Sequence, residues 1–354
     1  MDELLKGLKV VELASVLAGP AVGMFLAELG ADVTKVEAPG GDVTRTWKLP
    51  TEDRKATVSA YFSSVNYRKK YITRNLKEPA ELADVVGLCH SANVVLSNFR
   101  GSRARKFGLD YESLSSKNPD LIFVELQGYL NDAERAAYDL VLQAESGWMS
   151  MNGTPESGPL KMPVALMDLL AAHHMKQAVL LALYKWKTTG KGSFIHCTLE
   201  GSALSNLANQ ASNYLMEEFV PARMGSLHPN IAPYGETFIC SCGHLITLAV
   251  GSDQQFARMC DILGNAQLSE DERFNNNAAR VINRTELDAE LRKLVANHDR
   301  KSLLATFHDA GVPAGAIKSL DEVFAQTGPE ALIREEEIEG YATKRVTSVP
   351  FIIQ

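Results

Sequence analysis

Short apolar, β-branched runs alternate with amphipathic stretches through the first half of the chain. The opening KVVELA (9–14) predicts a strand, AVGMFLAELG (21–30) behind Pro20 a helix, and DVTKVEAP (32–39) a second strand, which together make a βαβ unit. Helix then strand recurs in ELADVVGLCHSANVVLSNF (81–99) and YESLSSKNPDLIFVEL (111–126). Strands alternating with helices at this spacing predict an α/β fold, a doubly wound, Rossmann-like parallel sheet. DLLAAHHMKQAVLLALYKWKTT (168–189) is apolar over most of its circumference and predicts a long buried helix, ended by the glycines of TGKGS. A strand, SFIHCTLE (193–200), and a helix, GSALSNLANQASNYL (201–215), follow.

PARMGSLHPNIAPYG (221–235) then breaks the periodicity and places a domain boundary near residue 225. Beyond it ETFICSCGHLITLAVGSDQQFARMCDILG (236–264) predicts a hairpin and a helix, with two more helices and a Pro-containing turn in 286–325. The expected organisation is a large Rossmann-like domain over 1–215, with the tail 331–354 returning to it, and a small α+β domain over 225–330. A chain of 354 residues exceeds a single core, which suits that division.

Composition narrows the function. A net charge of −7 argues against a nucleic-acid partner, and no apolar run is long enough to span a membrane. Acids stand at the N-terminus where a signal peptide carries basic residues, so a cytoplasmic location is expected. Five cysteines without repeated spacing argue against a disulfide framework. Cys240, Cys242 and His244 stand close together, but C-x-C-x-H on an alternating strand splays its ligands, and no metal is expected. Gly19 and Gly23 occupy the first βα turn without the G-x-G-x-x-G fingerprint; Glu37, at the end of the second strand, keeps a nucleotide-binding oxidoreductase open. Asp168 opens the long apolar helix. It reads as an N-cap whose charge the helix dipole stabilises, or as an active carboxylate at the ligand-binding edge of the sheet, and the two readings are compatible.

Seven segments in order carry a resemblance to a known family: LKVVELASVLAGPAVGMFLAELGADVTKVEAPGGDVTR, NYRKKYITRNLK, VVLSNFRGSRARKFGLD, AYDLVLQAESGWMSMNG, DLLAAHHMKQAVLLALYKWKTTGKGS, IAPYGETF and GVPAGAIKSLDEVF. The chain resembles the family III CoA-transferases (the CaiB/BaiF family), which include formyl-CoA and carnitine CoA-transferases and the related α-methylacyl-CoA racemases. The resemblance implies a large and a small domain and an interlocked homodimer. It implies that Asp168 is the nucleophile, attacking a thioester to form a mixed anhydride and then an aspartyl-CoA thioester. Coenzyme A and acyl-CoA enter as substrates beside a small carboxylic acid, with no tightly bound cofactor expected.

Tyr138 and Asp139 stand where the racemases resemble a histidine–aspartate pair; a tyrosine is a poor base at neutral pH, so transfer is favoured and the racemase is the alternative. A non-catalytic acyl-CoA-binding protein is a further one. Asp253, where racemases tend to have glutamate, is a further hint of transfer over racemisation. The positions matching CoA contacts are Val16, Leu17, Ala18, Asn98, Phe99, Arg103, Arg105 and Lys106, and Arg68, Lys69, Lys70, Arg74 and Lys77 form a second basic cluster. Leu17 replaces the glutamine of oxalate-handling members. His173 and His174 stand near an expected glycine, either reshaping the acyl pocket or filling a helix face.

Overall fold

The computed structural model describes residues 3–353; Met1, Asp2 and Gln354, at the ends of the segments assigned to the large domain, lie outside the described residues. Strands β1 (Lys9–Glu12), β2 (Asp32–Glu37), β3 (Lys70–Thr73), β4 (Val94–Ser97), β5 (Ile122–Gln127) and β6 (Ser193–Thr198) form one sheet in the order β3-β2-β1-β4-β5-β6. Every pairing in it is parallel. The order reverses between β1 and β4, so the ends of these strands open a crevice of the kind where α/β proteins bind ligands.

Both faces of the sheet are covered, which is why its strands read as nearly continuous apolar runs. Neighbouring side chains on a strand go to opposite faces. Val10, Val94 and Leu96 pack with α1 (Ala18–Glu28), whose residues are all buried. Val11, Val95 and Phe123 pack instead with Val85 and Cys89 of α2 (Pro79–His90). After β4 the chain enters α3 (Gly101–Phe107), and after β5 it enters α4 (Asp139–Glu145) and the long α5 (Leu166–Thr189). Met167, Ala171, Met175 and Val179 of α5 complete the core under α1.

The single helix expected over 201–215 is two, α6 (Leu199–Ser205) and α7 (Ala208–Glu217). The Asn206 side chain donates to Ser202 O at 2.8 Å, offering that carbonyl an alternative to the helical ladder, and Ala208 takes φ +50°.

Charge is buried inside the sheet. Lys35 Nζ donates to Glu12 Oε1 at 2.9 Å and Lys69 Nζ to the same oxygen at 3.0 Å, all three side chains being excluded from solvent. A Cβ on Gly23 would overlap the Glu12 carboxylate, and one on Gly19 would overlap Ala14 Cβ. These glycines therefore bring α1 onto β1 over a buried ion cluster.

The chain separates into two units. The first runs through Met149, resumes over Lys161–Pro221 and includes the residues from Glu330 onward; the second comprises Ser150–Leu160 and Ala222–Pro329. Residues 150–160, expected within an unbroken large domain over 1–215, group instead with the second unit, where Gly225 N donates to Gly153 O at 2.7 Å. In the first unit the tail is tied to α1, Thr347 Oγ1 and Ser348 N donating to the Glu28 carboxylate at 2.9 and 2.7 Å.

In the second unit β7 (Tyr234–Ile239) and β8 (Leu245–Ala249) form the expected hairpin, and β9 (Ala314–Ala316) adds antiparallel to β8. Phe238, Ile246 and Leu248 of this sheet pack on α8 (Asp253–Ile262), α9 (Arg284–Val295) and α10 (Arg300–Asp309) through Phe256, Met259, Leu287, Leu291 and Phe307. Cys240 is buried and Cys242 exposed at the hairpin end; residues two apart on an unbroken strand would share a face, so the turn over 241–243 separates them and strand alternation does not.

Candidate active site

The β1–α1 turn, the start of α5 and the segment before α4 meet at one cavity of about 180 Å³ in the first unit. Val16, Leu17 and Ala18 line it from the turn, Asn98 and Phe99 from the end of β4, Tyr138 from the entry to α4, and Asp168 from α5. Six of the nine residues matched to CoA or to the nucleophile by sequence alone are thus brought to one place: Val16, Leu17, Ala18, Asn98, Phe99 and Asp168.

Asp168 is not the cap of its helix. Ala165 holds the N-cap position and offers no side-chain bond, leaving Asp168 in the first turn. The cap comes from Asp139: its Oδ1 accepts Met167 N at 2.6 Å and Asp168 N at 3.3 Å, while Gln143 Nε2 donates to Oδ2 at 2.6 Å. Two carboxylates therefore share one helix start. Burial pushes the Asp168 carboxyl up, the neighbouring Asp139 charge adds to this, and its pKa reaches about 7. The expectation that the dipole would hold Asp168 as an ordinary charged carboxylate is corrected: only 9% of the residue is exposed, and desolvation outweighs the dipole.

Tyr138 occupies the N-cap position of α4 and is 61% exposed, so it faces the cavity instead of packing at a strand edge. Asp139 does not line the cavity; it acts beneath, on the α5 backbone. Tyr61, which carries no sequence signal beyond being aromatic, lies within the field of both carboxylates. Burial, then Asp168, Asp139 and Asp42, push its hydroxyl to about 12, so it stays a proton donor at every ordinary pH. Gln127, Gly128 and Arg135 also line the cavity and were not singled out from sequence.

A second cavity of about 530 Å³ shares Ser15 and Phe99 with the first and is lined by Arg74, Lys77 and Arg103. The Arg103 guanidinium sits 4.9 Å from the Phe99 ring centroid. Arg105 and Lys106 line neither cavity, because α3 turns them away; Arg105 lies beside Gly101 and Glu134. The basic run 68–77 is not one cluster. Lys69 is buried against Glu12, Lys70 pairs with Asp32 at 2.7 Å, and Arg68 lies over Tyr67, which leaves Arg74 and Lys77 at the cavity.

Other sequence candidates are spoken for. Both Glu37 oxygens accept from Arg45, at 2.8 and 3.1 Å, so this carboxylate is not free for a ribose hydroxyl and the oxidoreductase loses its supporting residue. His174 Nδ1 lies 3.2 Å from Ser202 Oγ of α6, and neither His173 nor His174 lines the cavity. Asp253 belongs to the second unit, where it pairs at 2.7 Å with the buried Arg280. Among the described residues no group of three or more His, Cys, Asp or Glu is arranged to hold a metal, and no helix is long and apolar enough to cross a membrane.

Residues 5–350 match CoA-transferase family III. The chain belongs to that family. It is 40% identical over 334 residues to a succinate–glutarate CoA-transferase of Agrobacterium fabrum, covering 92% of this chain and 83% of the relative. The mouse succinyl-CoA:glutarate CoA-transferase is 36% identical over 326 residues, covering 91% and 74%. Among solved structures, a CAIB/BAIF family protein from Brucella suis is 41% identical with a TM-score of 0.87, covering 99% of this chain and 92% of that one. Rv3272 from M. tuberculosis is 28% identical with a TM-score of 0.84, covering 99% and 93%. The protein is thus an enzyme of the family III CoA-transferase type, acting on CoA thioesters.

Proposed function

We propose that this family III CoA-transferase moves CoA between an acyl-CoA and a short carboxylic acid, with Asp168 as the covalent carrier. One observation carries the reading: a buried carboxylate with its pKa near 7 stands in a cavity bounded by the β1–α1 turn and the end of β4. The Asp168 carboxylate attacks the thioester carbonyl; the C–S bond breaks, CoA leaves as thiolate, and a mixed anhydride remains. The thiolate then attacks the Asp168 carbonyl and displaces the donor acid as carboxylate, leaving an aspartyl-CoA thioester. The acceptor carboxylate attacks that thioester, and the returning thiolate takes the acceptor acyl group and frees Asp168. No water enters, so burial of the carboxylate also protects both anhydrides.

Donors for the developing oxyanion are at hand. The N–H groups of Leu17, Ala18 and Gly19 have no acceptor among the described residues, and Leu17 does not cap α1 with its side chain. The larger cavity, with Arg74, Lys77 and Arg103, suits the phosphates of CoA, and Phe99 between the two cavities suits its apolar arm. Racemisation needs a second base on the opposite face of the substrate. Asp139 is engaged by Met167 N and Gln143, and the other residue of the pair is a tyrosine, whose phenol is a poor base at neutral pH.

The small volume of the Asp168 cavity favours short acids over bulky acyl groups; succinate and glutarate, in the names of two relatives, are the substrates to try first. With succinyl-CoA and glutarate, chromatography is expected to show glutaryl-CoA appearing as succinyl-CoA is consumed. Exchange with no acid in a panel of mono- and dicarboxylates, with deuterium washed into the α-carbon instead, would assign the racemase.

The pH profile follows from Asp168. Only the carboxylate attacks, so kcat/KM for the acyl-CoA is expected to rise about tenfold per pH unit below 7 and to level off above about 7. A profile already flat at pH 5 would mean that the attacking carboxylate has an ordinary pKa. An interlocked homodimer is part of the proposal. Leu181 and Tyr184 on α5 and Leu215 and Met216 on α7 are each more than half exposed, an apolar surface for a second copy to cover. A monomer mass at micromolar concentration in sedimentation would contradict it.

A further inference from the structure

Val16 holds a left-handed backbone, φ +72°. β-Branched residues strongly disfavour that conformation, and strained backbone of this kind gathers at functional sites. What holds Val16 there is visible. Its N–H donates to Asp42 Oδ2 at 3.2 Å. The Asn98 side chain grips the residue before it, Ser15 N donating to Oδ1 at 3.2 Å and Nδ2 donating to Ser15 O at 3.0 Å. One residue earlier, Lys35 Nζ donates to Ala14 O at 2.8 Å. Three consecutive residues of the turn are thus tied to side chains from other strands and loops.

Asp42 is itself aimed. Its Oδ1 accepts both Thr44 N, at 3.0 Å, and Thr44 Oγ1, at 2.8 Å, and its Oδ2 lies 3.0 Å from Lys35 Nζ. Lys35 in turn is anchored on Glu12. Asp42 is 4% exposed. It contributes to the wall of the larger cavity, where a carboxylate repels phosphate, so a direct part in holding CoA does not suit it. Directly after the tied residues come Leu17 and Ala18, which line the Asp168 cavity with free N–H groups.

We propose that Asp42, oriented by Lys35, is a positioning residue that keeps Val16 in its left-handed conformation, so that the Val16–Ala18 backbone is already shaped to receive the CoA thioester. The inference rests on the reading of the cavity as the acyl-CoA site. Without the Asp42 tie, Val16 relaxes toward an ordinary β-branched backbone and only a fraction of molecules present the formed turn. Apparent affinity for CoA falls by that fraction.

The test is CoA affinity by titration calorimetry on the whole protein, beside KM and kcat for the acyl-CoA. Asp42→Ala is expected to weaken CoA binding about tenfold and to raise KM more than it lowers kcat. Adding Val16→Gly to Asp42→Ala is expected to recover most of that loss, because glycine takes φ +72° without steric cost. A merely structural role for Asp42, as the acceptor for Thr44, gives no such recovery. Wild-type CoA affinity in Asp42→Ala, or no gain from Val16→Gly, overturns the proposal. Should Asp42→Ala lose its near-UV dichroism and fail to fold, Asn98→Ala loosens the same turn from its other side. Weakened binding, with recovery by Val16→Gly, is again expected there, and unchanged binding overturns the proposal. Affinity needs no turnover, so a wild type that binds CoA but transfers none would contradict the transfer chemistry alone.

Discussion

Asp168→Asn is expected to abolish CoA exchange, lowering kcat by on the order of 10⁴-fold or more, while making the protein more stable at neutral pH. The amide keeps the shape of the carboxylate but neither attacks a thioester nor forms an anhydride. The stability gain comes from the same burial. The Asp168 pKa is raised from 3.8 to about 7 in the folded chain, so between those values the folded state binds more protons than the unfolded one, and stability falls as pH climbs through that window. Below about pH 4 both states are protonated and the carboxylate adds no cost; above about 7 the cost is complete, on the order of 4 kcal/mol from a shift of about three units. The substitution removes it. Melting of the variant is therefore expected several degrees above wild type at pH 8 and level with it at pH 4. Equal melting temperatures at both pH values would mean that Asp168 is solvated in the folded protein.

Glu12→Ala is expected to produce the largest loss of stability. Glu12, Lys35 and Lys69 are fully buried, and Glu12 Oε1 accepts from both lysines. Burial drags the Lys69 ammonium down to about 8, with Glu12 the first group opposing that. Without Glu12 two buried ammonium groups are left with Asp42 as their nearby carboxylate. Breaking a buried pair by removing one partner costs about 3–5 kcal/mol, enough to lower the melting temperature by roughly 10 °C in a chain of this size. The effect reaches function too, because Lys35 orients Asp42 and holds Ala14 O at the turn. A melting temperature within about two degrees of wild type would show the cluster to be dispensable.

The sheet and its helices are legible in the sequence because both faces of a parallel sheet are buried: KVVE, VVLS and IFVEL carry apolar residues at both parities. Asp168 is legible as a residue, since a carboxylate at the mouth of an apolar helix stands out, and the ordered family motifs assign it a task. What surrounds it is not. Asp139 caps α5 from 29 positions away, and Tyr61 and Asp42 approach from segments with no periodic relation to α5, so only the fold brings them together. Basic residues mislead for the same reason. Arg103, Arg105 and Lys106 look equivalent in sequence, yet α3 sends Arg103 to the cavity and the others elsewhere; Lys69 reads as one of a basic cluster and is buried against a carboxylate. At the break between α6 and α7 the Asn206 side chain bonds Ser202 O and Ala208 turns left-handed, neither of which a polar-rich stretch announces.

The central claim, that Asp168 carries CoA covalently, is tested most directly by intact-mass spectrometry. The protein is mixed with succinyl-CoA in the absence of acceptor, quenched in acid, and its adduct mapped by peptide digestion. An increase equal to CoA less one water, on the peptide holding Asp168 and absent from Asp168→Asn, is the predicted result. The same adduct persisting in Asp168→Asn, or carried on another residue, would contradict the account.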